Sequence, residues 1–218
     1  RCYEHIPPET VGNNRTIVVS DQAGRANILF RLREVGIEIE ANDKRIATLV
    51  EDVKAREYEG YSYDGAEASF ELLARRALDS VPEYFRLSSF RVLDERRWNA
   101  KGELITLSEA TIKVAVKGAH GMTVSEGNGP VNALDNTLRK ALLPAYAELE
   151  DMRLVDYKVR ILSPGEGTMA VTRVVIESVD GKGRRWSTVG VSTNVIDASF
   201  NALNDAITYK LFVEGAKA

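Results

Sequence analysis

The chain has 218 residues, 44% hydrophobic and 28% charged, which is enough to bury a core in one large or two modest domains and too apolar for a disordered tail. A net charge of −3 and a pI near 5.6 exclude a general phosphate-backbone binder, and a single cysteine, Cys2, excludes an intrachain disulfide or a thiolate metal centre, as fits a reducing cytoplasm. No apolar run reaches membrane-spanning length, and no secretory leader is expected.

Residues 1 to about 20, opening RCYEHIPPETVGNN, read as a Pro-, Gly- and Asn-rich loop followed by a short apolar strand or turn, TIVVS. Starting at Arg1 in mid-phrase, the chain is expected to be a fragment or processed product. Three helical patterns follow. GRANILFRLREVG sets Ile28, Leu29, Leu32 and Val35 on one face and ends at Gly36. NDKRIATLVEDVKARE repeats the pattern with Ile46, Leu49, Val50 and Val53, and Asn42 is placed to cap it. DGAEASFELLARRAL opens with Asp64 and Glu67 at capping-box spacing and turns Phe70, Leu73, Ala74, Ala77 and Leu78 inward. Residues 1–83 therefore predict a linker region with a small helical subdomain ending near Pro82.

From Phe85 the period changes to two. ATIKVAVKG alternates Ala110, Ile112, Val114 and Val116 against Thr111, Lys113 and Lys117, and HGMTVSEG continues as a further strand. Pro130 then opens a helix with Val131, Leu134, Leu138, Ala141, Leu142 and Ala145 on one side. The plan repeats. LVDYKVRIL alternates Val155, Tyr157, Val159 and Ile161 against Asp156, Lys158 and Arg160. A second strand turns back at Asp180-Gly181, RRWSTVGV is the third strand, and Asn194 caps a final helix with Asp197 in its first turn. The prediction is an α+β fold, with two tandem βββα units at about 87–147 and 153–213 inside a domain spanning 84–218.

Catalytic signatures are missing. The two histidines, His5 and His120, suggest no metal centre, and there is no P-loop, cysteine cluster or nucleophile elbow. His120 reads as an exposed turn residue between strands. The basic stretches at Arg184 to Trp186 and Asp94 to Gly102 read as strand ends and a hairpin loop, not as a nucleic-acid surface. The Gly127-Asn128-Gly129 turn carries more information. Glycines at a helix start either permit tight strand-to-helix packing or expose unpaired amides at the positive end of the helix dipole, where an anion fits. The junction recurs in the second unit as Ser192, Thr193 and Asn194, flanked by Val195 and Ile196. With no Lys or Arg in either junction and aliphatic neighbours, the anionic guest expected is the carboxylate of a branched amino acid, not a nucleotide.

YEHIPPETVGN, SDQAGRANIL, GYSYDGAEASFELL, GNGPVNALDNTLRKAL, DYKVRIL and VGVSTNVIDASFNALNDAITYKL together resemble the C-terminal part of the isopropylmalate/homocitrate synthase family, in order and over nearly the whole chain. The first two phrases are closer to the citramalate branch, because other branches tend to have Gly-Lys-His-Ser-Gly where this chain has Ser20-Asp21-Gln22-Ala23-Gly24. The resemblance implies a parent enzyme that condenses acetyl-CoA with a 2-oxo acid, pyruvate in that branch, on a divalent-metal (β/α)8 barrel preceding this segment. No cofactor is then expected in the segment itself, nor activity from it alone. It implies linker subdomains followed by a regulatory domain that forms a homodimer and binds isoleucine, or leucine in the isopropylmalate branch, in the cytoplasm. Carried over by motif, Tyr3 matches an auxiliary linker tyrosine of the active site. Gly127, Asn128, Gly129, Val131 and Asn132 match the first effector-binding junction, and Thr193, Asn194 and Val195 match the second.

Overall fold

The computed structural model describes residues 24–40, 42–78 and 80–218, so Tyr3, His5 and the TIVVS segment lie outside the described residues. Its first part is three helices: α1 (Arg25–Glu34), α2 (Lys44–Glu59) and α3 (Glu67–Ala77). α1 stops as its sequence predicts. Gly36 takes the left-handed conformation at φ +71°, and the amides of Gly36 and Ile37 bond back to the carbonyls of Arg33 and Leu32.

The other two helix starts differ from expectation. The N-cap of α2 is Asp43, one residue after Asn42, and its carboxylate accepts the Arg45 amide at 2.8 Å. The Arg45 guanidinium holds that carboxyl down to about 2. α3 has no capping box: Ala66 is its N-cap, and Asp64 sits before a left-handed Gly65, too early to reach the helix.

The remainder is the predicted tandem. β1 (Phe85–Trp98), β2 (Leu104–Val116) and β3 (Ala119–Gly127) form an antiparallel sheet in that order, followed by α4 (Pro130–Leu142). β4 (Arg153–Ile161), β5 (Thr172–Val179) and β6 (Arg185–Ser192) form a second one, followed by α5 (Val195–Val213). His120 is an exposed residue within β3, paired with Ala115, because the turn before it needs only Lys117 and Gly118. The β5–β6 turn is longer than a two-residue hairpin. Asp180 accepts the amides of Lys182 and Arg184 on its own carboxylate, and Gly183, not Gly181, takes the positive φ.

Alternation places Ala110, Ile112 and Val114 against Leu134, Leu138 and Leu142 of α4, all 3% exposed or less. Val174, Ile176 and Trp186 meet Ala198, Ala202, Ala206 and Ile207 of α5, and the two units share one continuous core. β4 departs from its pattern. A bulge between Leu154 and Asp156 takes Val155 out of register, and Val159 and Ile161 are 47% and 56% exposed. Of the four predicted inward residues, Tyr157 alone packs on the core, with its hydroxyl 2.7 Å from that of Ser199.

The helical subdomain is docked on the second unit. Ile28, Leu32, Leu49, Val53, Tyr63 and Phe70 form a second cluster that also takes in Val189 of β6. β6 is a sheet edge, and α3 covers it: the Val189 amide donates to Ser69 Oγ at 3.0 Å, and Ser69 donates to Asp205 of α5 at 2.9 Å. Arg76 bonds the other Asp205 oxygen at 3.0 Å, Tyr209 donates to Glu71 at 3.1 Å, and Arg75 stacks over Phe212. Burial pushes the Asp205 carboxyl up against the pull of Arg76.

Candidate functional site

Both candidate sites are strand-to-helix junctions, and their glycines do different things. Gly127 lies under α4. A Cβ there would come within 2.3 Å of the Ala133 amide nitrogen and 2.8 Å of the Asn132 carbonyl carbon, so the close approach of strand and helix needs glycine. The counterpart under α5 is Gly190, whose Cβ would meet the Ala198 carbonyl oxygen at 2.0 Å. Gly129 has neither reason. Its backbone is extended (φ 179°), which any residue adopts, and a Cβ on it would have no atom within 4 Å.

Gly129 is the N-cap of α4 and supplies no side-chain cap, while Pro130 brings no N–H. Among the described residues, the amides of Gly129, Val131 and Asn132 have no hydrogen-bond partner. Part of the predicted socket is already filled. Asn132 turns its side-chain oxygen onto the Asn128 amide at 3.0 Å, and Asn136 braces the loop by donating to the Glu126 carbonyl at 3.0 Å. The second junction is more nearly closed: Asn194 caps the Ile196 amide at 2.8 Å, and its own amide donates to Ser192 Oγ at 3.0 Å. Thr193 and Val195 stay exposed there, and Val131 is half-buried at the first junction.

The sheet registers add residues that sequence reasoning missed. Row by row, Asp94–Ser108–Gly127 crosses the first sheet at the level of its junction, and Ile161–Thr172–Ser192 crosses the second. The first row ends in a carboxylate, hydrogen-bonded by Ser108. The second ends in a half-exposed aliphatic residue, with Val159 beside it on the same face. Alternation alone put Ile161 on an apolar face, but its position level with a helix start depends on register, which one sequence does not display.

Chemically, such a site can hold a small anion on amides, with aliphatic side chains close by. His120 stands exposed on β3, and no three His, Cys, Asp or Glu side chains among the described residues group as a metal ion requires. The most concentrated charge lies at the far end of α5. There the ammonium of Lys210, 2% exposed, meets Asp151 at 2.9 Å and Asp180 and Glu214 at 3.3 Å. Burial pulls the Lys210 ammonium down, but its bonds to Asp151 and Glu214 outweigh that and hold it above the usual lysine value. The cluster fastens the β5–β6 turn to the helix.

Comparison with known proteins gives the fold a family. The LeuA allosteric (dimerisation) domain matches residues 64–211, beginning just ahead of α3 and ending in the last turn of α5. The (R)-citramalate synthase of Aquifex aeolicus is 49% identical over 211 residues, covering 97% of this chain and 39% of that protein. The (R)-citramalate synthase of Geobacter sulfurreducens is 49% identical over 219 residues, covering 99% and 41%. A 2-isopropylmalate synthase from Aquifex aeolicus is 28% identical over 209 residues, covering 94% and 36%. The chain thus spans about two fifths of the length of these relatives.

Proposed function

The chain belongs to the LeuA allosteric (dimerisation) domain family, and on that premise we propose that it is the regulatory part of a cytoplasmic citramalate synthase. In this reading it forms a homodimer and binds isoleucine for feedback inhibition. The relatives at 49% identity carry the citramalate name, and the isopropylmalate synthase at 28% makes leucine the less favoured effector. The condensation of acetyl-CoA with pyruvate, together with its divalent metal, belongs to a catalytic barrel outside these residues, so the chain alone is inactive in this reading. Tyr3 would assist that barrel.

The observation that carries the reading is the first junction. Gly129 is a glycine that neither φ nor packing requires, beside three amides without partners at the start of a thirteen-residue helix. The carboxylate of isoleucine fits those amides, with its side chain against Val131. α5 offers a physical route for feedback. Its first turn forms the second junction, and its later turns carry Asp205 and Tyr209, which hold α3 and hence the linker helices. Isoleucine inhibits if it favours one docking geometry of that subdomain over another.

A structural reading has an observation of its own: Asn132 and Asn194 already cap one amide at each junction. On that reading the module only dimerises. Gly129→Asp separates the two. Aspartate at an N-cap accepts the next amides itself, so the variant folds at least as stably as the parent while excluding a ligand carboxylate. Calorimetric titration with isoleucine, leucine and valine is expected to give heat with isoleucine for the parent and none for the variant. No heat with any of the three in the parent overturns the effector reading, as does undiminished binding in a folded Gly129→Asp.

A further inference from the structure

β1 and β2 outrun the rest of their sheet. β3 pairs with β2 only as far as Ser108↔Gly127, where the chain turns into α4. β1 and β2 continue through Glu95↔Leu107, Arg96↔Thr106, Arg97↔Ile105 and Trp98↔Leu104 as a two-stranded overhang. The ribbon is well braced. Ser108 donates to Asp94 at its root. At its tip Asn99 accepts the amides of Lys101 and Glu103 at 2.9 Å each and donates to the Glu103 carboxylate at 2.8 Å, while Gly102 takes the left-handed turn at φ +76°.

Alternation puts Phe90, Val92, Asp94, Arg96 and Trp98 on one face. Phe90 and Val92 pack on the core, and the Phe90 ring stacks 5.3 Å from that of Phe200. Past two polar rows, Asp94–Ser108 and Arg96–Thr106, Trp98 and its cross-strand partner Leu104 form a separate apolar tip on this face, beyond the end of the chain's own third strand, and they are 70% and 38% exposed. A ribbon of two strands is marginal alone in water, and an apolar tip on a braced arm costs free energy unless something covers it.

We propose that this ribbon is a dimer clasp, its Trp98–Leu104 face seated on a second copy of this chain; the proposal rests on the homodimer reading above. Three observations select that occupant. The whole ribbon falls inside the segment matched as a dimerisation domain. Its charges cancel, with Asp94, Glu95 and Glu103 against Arg96, Arg97 and Lys101, so it favours neither an acidic nor a basic partner. The same chain also presents a receiving strip, the half-exposed Val159 and Ile161 on the helix-facing side of the second sheet. Under a two-fold axis each clasp reaches the other copy's strip, giving two equivalent contacts in a closed dimer. A tryptophan anchor with a charged rim has the composition of an interface hot spot.

Analytical ultracentrifugation of the full 218-residue chain tests this. The parent sediments as a dimer. Trp98→Asp and Val159→Asp weaken the dimer by at least about 100-fold, the scale of a hot-spot loss. Met122→Asp, 66% exposed on the opposite face of the first sheet, leaves it unchanged. Because Trp186 is buried, the emission of Trp98 alone moves to the red when the dimer is diluted apart. Circular dichroism verifies that each variant is folded. A parent that stays monomeric at every concentration overturns both the homodimer reading and the clasp. A dimer that survives Trp98→Asp keeps the homodimer reading and overturns the clasp.

Discussion

Replacing Gly127 and Gly129 with alanine, one at a time, separates two roles that look alike in the sequence. At Gly127 the new methyl would lie 2.3 Å from the Ala133 nitrogen and 2.7 Å from its Cα, and both are helix backbone that no rotamer change can clear. α4 has to move off the strand, loosening Ala133, Leu134, Leu138 and Leu142, which are fully buried. Overpacking of this kind costs about 1–3 kcal/mol, and contact with backbone places it at the top of that range or above. At Gly129 the methyl enters open space on an extended backbone, and the gain of about 0.5 kcal/mol from the smaller entropy of the unfolded alanine chain roughly offsets the preference of an N-cap for glycine over alanine. Urea unfolding followed by circular dichroism reads the difference. With a slope of about 2 kcal/mol per molar, the Gly127→Ala midpoint falls by about 1.5 M and that of Gly129→Ala stays level or rises slightly. Equal midpoints for Gly127→Ala and the parent, or a clear loss for Gly129→Ala, would refute the assignment of packing to one glycine and an open site to the other.

Other expectations follow from the packing of α5. Ser69→Ala strips the Val189 amide of its acceptor and half-buried Asp205 of a donor, costing about 2 kcal/mol in the same urea assay; a loss under about 0.5 kcal/mol would mean that α3 does not brace the sheet edge. Lys210→Met leaves the Asp180 side chain, fully enclosed, without its ammonium and costs about 3–5 kcal/mol, measured as a fall in Tm and in the urea midpoint. The pH profile of stability changes with it. Lys210 holds the Asp151 carboxyl low, and Lys182 with Lys210 does so for Glu214. For Asp180, burial raises the carboxyl, but the Arg184 amide and Lys210 outweigh it. Folded values below the ordinary 3.8 and 4.5 mean that the unfolded chain binds more protons, so the parent loses stability as pH falls through that range. Lys210→Met flattens that acid limb; an unchanged limb would assign it to other carboxylates.

Much of the architecture was legible because it is periodic. The change from a 3.6 to a two-residue period near Phe85, the two strand-to-helix junctions and Gly36 all stand where the sequence places them. The misses share a cause: each depends on partners remote in sequence or on choices between adjacent polar residues. Asp43 in place of Asn42 is such a choice, settled by Arg45. The exposure of Val155 reflects a bulge, and that of Val159 and Ile161 the packing of α5 over β5 and β6 and not over β4, neither of which alternation encodes. The docking of α3 was hidden because its second buried face is built from Ala68, Ser69 and Leu72, small or unremarkable in a helical wheel, and speaks through Asp205, 136 residues away from Ser69. At the junctions the sequence marked the glycines but not that Asn132 would close part of the socket.

Amide resonances of the isotopically labelled chain during an isoleucine titration test the central claim most directly. The predicted result is saturable shifts at Gly129, Val131 and Asn132, whose amides are open, ahead of those at Asn128 and Ile196, which side chains already hold. Saturable shifts confined to other parts of the chain, with these three unmoved, would contradict it.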